Sequence, residues 1–254
     1  NCKNVHLFIT GVGNVGSNLI KQIHDQKNSL EKNLSLKLKV MGLSNSKKMI
    51  LSETEIDLNN WKSKLDSSEI KSDNDKFLKF SIKQNLRNSL FIDNTANSDI
   101  TINYSSYLKN GIGIVTCNKI ACSDKLEKYL ELKSLSKNHN APFLYETNVG
   151  AALPIIDTLN NLINSGDKIT KIEAVLSGTL NYIFNNFNKE NSFYEVVKKA
   201  VELGYTEPDP KIDLCGIDVS RKILILARES GKEIEFSDVQ NKSFLPNESV
   251  KTKS

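Results

Sequence analysis

A short β-rich run, Val5-His-Leu-Phe-Ile-Thr10, runs into Gly11-Val-Gly-Asn-Val-Gly16, and Ser17 to Gln26 then reads as a helix. Few arrangements constrain a chain more tightly. Where such a stretch joins a strand to a helix, each glycine has a job. Gly11 permits the tight turn, Gly13 lets the backbone approach a pyrophosphate, and Gly16 allows close helix–sheet packing. The helix N-terminus then presents unbonded amides to the phosphates. The spacing alone also suits an ordinary glycine-rich βα turn. The strand before it and the helix after it favour dinucleotide binding, with Gly11, Val12, Gly13, Asn14, Val15 and Gly16 facing the cofactor.

The pattern after this turn is alternating. Leu36 to Leu43, Ser89 to Thr95, Ile112 to Thr116 and Ala141 to Glu146 read as further strands, separated by helical stretches at Asp75 to Leu86, Ile102 to Lys109 and Asp124 to Lys137. Strands alternating with helices predict a parallel sheet covered on both faces, an α/β, Rossmann-like domain over residues 1–146. From residue 147 the pattern changes. Leu153 to Ile163, Thr179 to Phe187, Phe193 to Leu203 and Asp213 to Glu229 read as helices, and Lys168 to Leu176 alternates like a half-buried strand. Residues 147–254 are therefore expected to form a second, α+β domain. Residues 44 to 88 are polar and weakly patterned, apart from the helix at Asp75.

Composition narrows the function. Of 254 residues, 39% are hydrophobic and 25% charged, which permits two modest domains with real cores. A net charge of +4 from 34 basic and 30 acidic residues is too balanced to argue for nucleic acid, and it suits anionic small molecules. The four cysteines and three histidines lack the spacing of a zinc site or disulfide framework, so a cytoplasmic, reducing setting is expected. No apolar run reaches membrane-spanning length, and no membrane role is expected.

The end of the second strand bears on cofactor choice. An NAD site usually places an acid there to hold the ribose 2′-hydroxyl. This chain reads Ser44-Asn-Ser-Lys-Lys48, with no acid until Glu53. A hydroxyl, an amide and two lysines suit a 2′-phosphate, so Ser44 and Lys47 are candidate NADP ligands. NAD stays open as an alternative. Lys119 would lie beyond the strand Ile112 to Thr116, at the carboxyl edge of the sheet where ligands bind in open α/β folds. Cys117 beside it has no histidine nearby in sequence to activate a thiolate.

Five motifs then occur in a telling order: Asp93-Asn-Thr-Ala96, Thr116-Cys-Asn-Lys-Ile-Ala121, Tyr145-Glu-Thr-Asn-Val-Gly-Ala-Ala-Leu-Pro154, Leu176-Ser-Gly-Thr-Leu-Asn-Tyr-Ile-Phe184, and Gly204-Tyr-Thr-Glu-Pro-Asp-Pro-Lys-Ile-Asp-Leu-Cys-Gly-Ile-Asp-Val-Ser-Arg-Lys222. In order and spacing they resemble the homoserine dehydrogenase family from about Val5 to Leu245. The likeness is greatest to the dehydrogenase half of bifunctional aspartokinase–homoserine dehydrogenases. The resemblance implies NADP-dependent interconversion of aspartate 4-semialdehyde and homoserine, in the biosynthesis of threonine, methionine and isoleucine. It implies that Thr95 and Lys119 lie at the nicotinamide end of the cofactor, with Lys119 also facing substrate, and that Glu207 and Asp218 bind substrate. Asp218 and Lys222 match the catalytic pair. Glu146, Val149, Ala151 and Leu153 match a site for a monovalent cation such as Na+, built largely from main-chain carbonyls, which suit a hard cation. A homodimer formed through the sheet of the second domain and a covalent fusion to an aspartokinase are further implications. The family's second domain continues well past Glu229, so this chain is expected to be a C-terminally incomplete piece of a longer polypeptide.

Asp218 and Lys222 are four apart on a helix and so project from one face. Alone, such a pair is commonly a solvated surface contact. Hydride delivery to an aldehyde carbon creates an alkoxide that needs a proton, and an ammonium at that oxygen both stabilises the charge and supplies it. Lys222 is assigned this acid/base role, with Asp218 orienting it. Two other readings remain open. One is a different Rossmann oxidoreductase acting on an amino-acid-derived aldehyde. The other is a catalytically silent nucleotide-binding remnant, or a structural partner of an aspartokinase.

Overall fold

The computed structural model describes residues 2–206 and 210–242. The chain divides into two compact units. The first comprises Asn1–Ala121 with Glu127–Asn148, and the second Cys122–Leu126 with Val149–Ser254.

In chain order, the elements up to Asn148 are β1 (Lys3–Thr10), α1 (Asn14–Leu34), β2 (Leu36–Ser44), β3 (Met49–Leu51), α2 (Trp61–Ser67), α3 (Asn74–Lys83), β4 (Ser89–Asp93), α4 (Ser98–Thr101), α5 (Tyr104–Lys109), β5 (Gly113–Thr116), α6 (Ile120–Ser123), α7 (Leu126–Asn138) and β6 (Phe143–Leu144). The strands form one sheet in the order β3-β2-β1-β4-β5-β6. All neighbours are parallel except β2 and β3. β1 is central, with β2 on one side and β4 on the other, so the strand order reverses beside it. The crevice beyond the carboxyl ends of β1 and β4 is therefore where an open α/β sheet binds its ligand.

Leu7, Phe8 and Ile9 are almost fully buried because β1 is covered on both faces, which accounts for its unbroken apolar run. Leu7 and Ile9 pack with Ile20 and Ile23 of α1 and with Val40 and Leu43. Phe8 points the other way, edge-on to Phe77, which meets Phe91, and Phe91 stacks on Tyr107 with centroids 4.1 Å apart. Gly42 makes room for this layer: a Cβ there would lie 3.0 Å from the Phe77 ring.

The polar stretch 44–88 contains two elements that its weak pattern does not predict, β3 and α2. Each is too short to show a period. The expected strand from Ser89 ends at Asp93, where the Asp93 carboxylate captures the Thr95 amide at 2.7 Å. The expected helix Ile102 to Lys109 begins at Tyr104, preceded by the separate turn α4.

The second unit holds α8 (Ile155–Asn164), α9 (Gly178–Asn186), α10 (Phe193–Glu202), α11 (Pro210–Leu214) and α12 (Ile217–Glu229). Ser177 caps α9 by accepting from the Leu180 amide, and Ser192 with Glu195 forms a capping box on α10. Leu180, Ile183, Val196, Ala200 and Leu214 form one core cluster of this unit. The helix expected from Asp213 to Glu229 is broken at Gly216, whose φ is +79°. A Cβ there would lie 2.6 Å from Asn241 Oδ1. The predicted strand Lys168 to Leu176 is a correction: the segment carries no strand pairing, and Val175 is 81% exposed. A strand needs a hydrogen-bonded neighbour, and the described residues of this unit supply none. No helix among the described residues is long and apolar enough to cross a membrane.

Candidate active site

The ends of β1, β2 and β4 meet at the glycine-rich turn. The Gly11 amide donates to Ser44 O and the Asn94 amide to Thr10 O. Gly11 adopts φ +84°, and a Cβ on it would lie 2.7 Å from Thr95 Cγ2. Gly16 packs its Cα against the turn so closely that a Cβ would fall 2.0 Å from Gly11 O. Gly13 differs: nothing lies within 4 Å of its Cβ position. Two glycines thus close the turn on itself and the third leaves it open outward.

Gly13, Asn14 and Val15 are exposed at the start of α1, whose first turn carries no acid. An uncapped, acid-free helix start favours an anion, as a bound pyrophosphate requires. A cavity of about 320 Å³ adjoins the turn, lined by Thr10, Gly11, Asn45, Ser46, Ser72, Asn74, Thr95, Asn97 and Ile100. Asn94 Nδ2, buried beside Gly16, has no hydrogen-bond partner among the described residues. Open backbone, an anion-favouring helix start and polar walls fit a dinucleotide.

At the end of β2 the side chains divide differently from the sequence expectation. The Ser44 hydroxyl is buried and lies 3.1 Å from Ser72 Oγ. Asn45 and Ser46 line the cavity instead. Asn45 Oδ1 accepts from the amides of Lys47 and Lys48, at 2.8 and 2.7 Å, and so shapes the turn. Lys47 is exposed, and the Lys48 ammonium is engaged with Asp66 O. Ser72 and Asn74 come from the unpatterned stretch. Only a distance between polar loop residues could have found them.

Thr95 lines the same cavity, and Lys119, half-buried, follows β5. Behind them lies a buried polar network. The Asp93 carboxylate accepts from Tyr104 OH at 2.7 Å and Asn118 Nδ2 at 3.1 Å. The Asn148 carboxamide faces Thr116 O and Cys117 O, and oriented to donate to them it places its nitrogen 3.1 Å from each.

In the second unit, the Asp218 and Lys222 side chains are 14% and 16% exposed, with Oδ2 and Nζ 2.6 Å apart. Asp218 sits in the first turn of α12, where the helix dipole favours an acid. Lys222 Nζ also donates to Leu176 O at 2.8 Å. An ammonium has three donors, so two fix its position and one remains to address an oxygen. An ammonium held in this way can serve as a general acid. Glu207 lies outside the described residues.

Of the residues matched to a cation site, Glu146 lies in a short 3-10 turn and Val149 is buried. Ala151 takes a left-handed φ of +52°, and Leu153 O accepts from the Ile155 amide at 2.9 Å. Among the described residues no cluster of His, Cys, Asp or Glu could hold a metal ion.

Two family models match the chain: "Homoserine dehydrogenase, NAD binding domain" over residues 11–146 and "Homoserine dehydrogenase" over residues 154–253. The bifunctional aspartokinase/homoserine dehydrogenase 1, chloroplastic, of Zea mays is 44% identical over 94% of this chain, which spans 26% of that protein. The homoserine dehydrogenase of Schizosaccharomyces pombe is 38% identical over 96% of this chain and 66% of its own length. Among solved structures, a hyperthermophilic archaeal homoserine dehydrogenase in complex with NADPH superposes with a TM-score of 0.74 at 26% identity, covering 91% of this chain and 71% of that one.

Proposed function

The chain belongs to the homoserine dehydrogenase family, and we propose from that premise that it interconverts aspartate 4-semialdehyde and homoserine with NADP. The observation that carries the chemistry is the enclosed Asp218–Lys222 pair, pinned by Leu176 O. Reduction of an aldehyde needs a hydride and a proton. The cofactor supplies the hydride when bound. Gly11, Gly13 and Gly16 with the start of α1 hold its pyrophosphate, and Thr95 and Lys119 serve its nicotinamide end.

Lys222 donates a proton to the developing alkoxide and, in the reverse direction, its neutral amine takes one from the homoserine hydroxyl. Asp218 fixes the Lys222 side chain and binds a polar group of the substrate. Glu207 pairs with the substrate's ammonium group or a hydroxyl, and Lys119 orients its carboxylate or aldehyde.

NADP rather than NAD is supported by the acid-free turn Ser44 to Lys48, in which Asn45 and Ser46 face the cavity and Lys47 is exposed. A monovalent cation held through carbonyl oxygens at Val149, Ala151 and Leu153, with Glu146, belongs to the same proposal. So do a homodimer, covalent attachment to an aspartokinase as the Zea mays relative's name describes, and a cytoplasmic location.

The test is NADPH oxidation by the purified chain with aspartate semialdehyde. Turnover that disappears in Lys222→Ala supports the reading. NADPH binding without turnover in the unaltered chain would instead mark a silent nucleotide-binding remnant.

A further inference from the structure

Thr95 and Lys119 sit on two different loops, one after β4 and one after β5, and the proposed reaction needs them at a fixed spacing. We infer that Asn118 is the positioning residue that sets this spacing, by joining the two loops through a buried side-chain amide; the inference rests on the function proposed above.

The geometry is specific. Asn118 is 1% exposed. Its Nδ2 lies 2.9 Å from Asn97 O, 3.1 Å from Asp93 Oδ2 and 3.5 Å from Thr95 Oγ1, all at or beyond the end of β4. Its Oδ1 accepts from the Ile120 amide at 3.1 Å, and its own amide donates to Thr116 Oγ1 at 2.9 Å, at the two ends of the β5 loop. One side chain therefore carries the β4 loop on its nitrogen and the β5 loop on its oxygen. Thr95 and Asn97 line the cavity next to the glycine-rich turn, and Lys119 follows Asn118 directly.

The neighbouring bonds divide the work differently. Tyr104 OH lies 2.7 Å from Asp93 Oδ2 and 2.8 Å from Thr116 Oγ1, so it ties the last residues of the two strands. Asn148 holds the carbonyls of Thr116 and Cys117. These secure the sheet ends, whereas Asn118 secures what projects past them.

The chemistry also explains the residue type. Asp93 Oδ2 and Asn97 O are both acceptors, so the position needs a donor, and the adjoining Ile120 amide needs an acceptor; a carboxamide is both. Asn118→Asp would set a second carboxylate against Asp93, with the Tyr104 hydroxyl on the same oxygen and Lys119 next in sequence. Two buried carboxylates in contact cannot both stay charged, so one must bind a proton for the loops to close. The variant is thereby made acid-dependent.

The experiment titrates NADPH into the full chain by calorimetry from about pH 5 to pH 8, a range that spans the raised pKa of one carboxyl in such a pair. It compares wild type, Asn118→Asp, Asn118→Ser and Tyr104→Phe, each with a thermal melt and the turnover assay. Asn118→Asp should bind NADPH about tenfold more weakly at the alkaline end and recover towards wild type at the acid end. Asn118→Ser is too short to span both loops and should bind weakly at every pH. Tyr104→Phe should melt earlier yet keep its NADPH affinity. Wild-type affinity in Asn118→Asp throughout the range overturns the inference. If that variant does not fold, Asn118→Ser decides, and an affinity loss no larger than that of Tyr104→Phe overturns it. A wild-type chain that binds NADPH without turnover removes the proposed activity but leaves Asn118 to be judged on binding. A wild-type chain that does not bind NADPH overturns both.

Discussion

Lys222 Nζ stands 2.6 Å from the carboxylate of Asp218, one turn earlier on α12, with both side chains largely enclosed. The pair holds the ammonium to one place, and Leu176 O holds it from a second direction. Lys222→Ala should lower kcat about 10²- to 10⁴-fold, the range of a positioned proton donor, while leaving NADPH affinity intact. Lys222→Arg keeps the charge but gives up its proton too reluctantly to replace it, so it should resemble the alanine variant. Steady-state rates decide; an unchanged kcat in Lys222→Ala would take the residue out of the reaction.

The glycine-rich turn predicts two opposite failures. Gly16→Ala would drive a Cβ to within 2.0 Å of Gly11 O, so α1 must back away from the turn. Stability and NADPH binding should fall together. Gly13→Ala meets no atom within 4 Å, and its φ of −71° is not left-handed, although its ψ of −146° lies off the ordinary extended range. Its melting should fall by much less than that of Gly16→Ala, since only backbone strain and no collision is at stake. Its NADPH affinity should still drop, because the methyl stands where the backbone must approach a phosphate. Thermal melts paired with NADPH titrations separate the two, and an unimpaired Gly13→Ala would deny that the open side is the binding side.

The sheet was readable because central parallel strands are apolar on both faces, and Leu7 to Ile9 needs no partner to be recognised. The 2′-phosphate end was readable only as a region. Whether Ser44 or its neighbours face the cavity depends on Ser72, which lies 28 residues away in a stretch without period. Gly216 broke an apparently continuous helix because its positive φ is a property of the backbone path, which apolar spacing does not report. The alternation at Lys168 to Leu176 shows the converse: period two marks what a strand would bury, but pairing is decided by a neighbour. Asn118 stands within the motif Thr116 to Ala121 and still gave no sign, since a buried amide and a loop amide look alike in sequence.

Arg228 carries a stability prediction for the second unit. Its buried guanidinium donates to Cys122 O at 2.9 Å and Ile234 O at 3.1 Å, and pairs with Glu235 at 3.2 Å. Glu235 accepts in turn from the Leu126 amide. The segment Cys122–Leu126, remote in sequence, is thus bound to α12 through one fork of donors. Arg228→Ala removes the donors that join these groups and should cost roughly 2–3 kcal/mol. Arg228→Lys should recover little, because a single ammonium does not reach in three directions. Chemical denaturation followed by circular dichroism measures the loss; a change under about 0.5 kcal/mol for Arg228→Ala would show the fork to be dispensable.

Tyr107 predicts how the first unit fails in alkali. Its ring is stacked on Phe91 beneath the sheet, and burial pushes the phenol well above its ordinary value near 10. A hydrogen bond with Ser81 opposes that rise, and the charge of Asp93 adds to it. The phenol therefore stays protonated in the fold while the unfolded chain loses this proton above about pH 10. From there on the unfolded state binds one proton fewer, so stability is intact below that pH and declines as the pH rises through it. The slope should be about 1.4 kcal/mol per pH unit from this group alone. Tyr107→Phe removes the ionisation and keeps the stacking, so the difference between its alkaline denaturation curve and that of wild type isolates the effect. Parallel curves above pH 10 would mean that the phenol ionises without unfolding, and that the layer formed by Phe77, Phe91 and Tyr107 admits water.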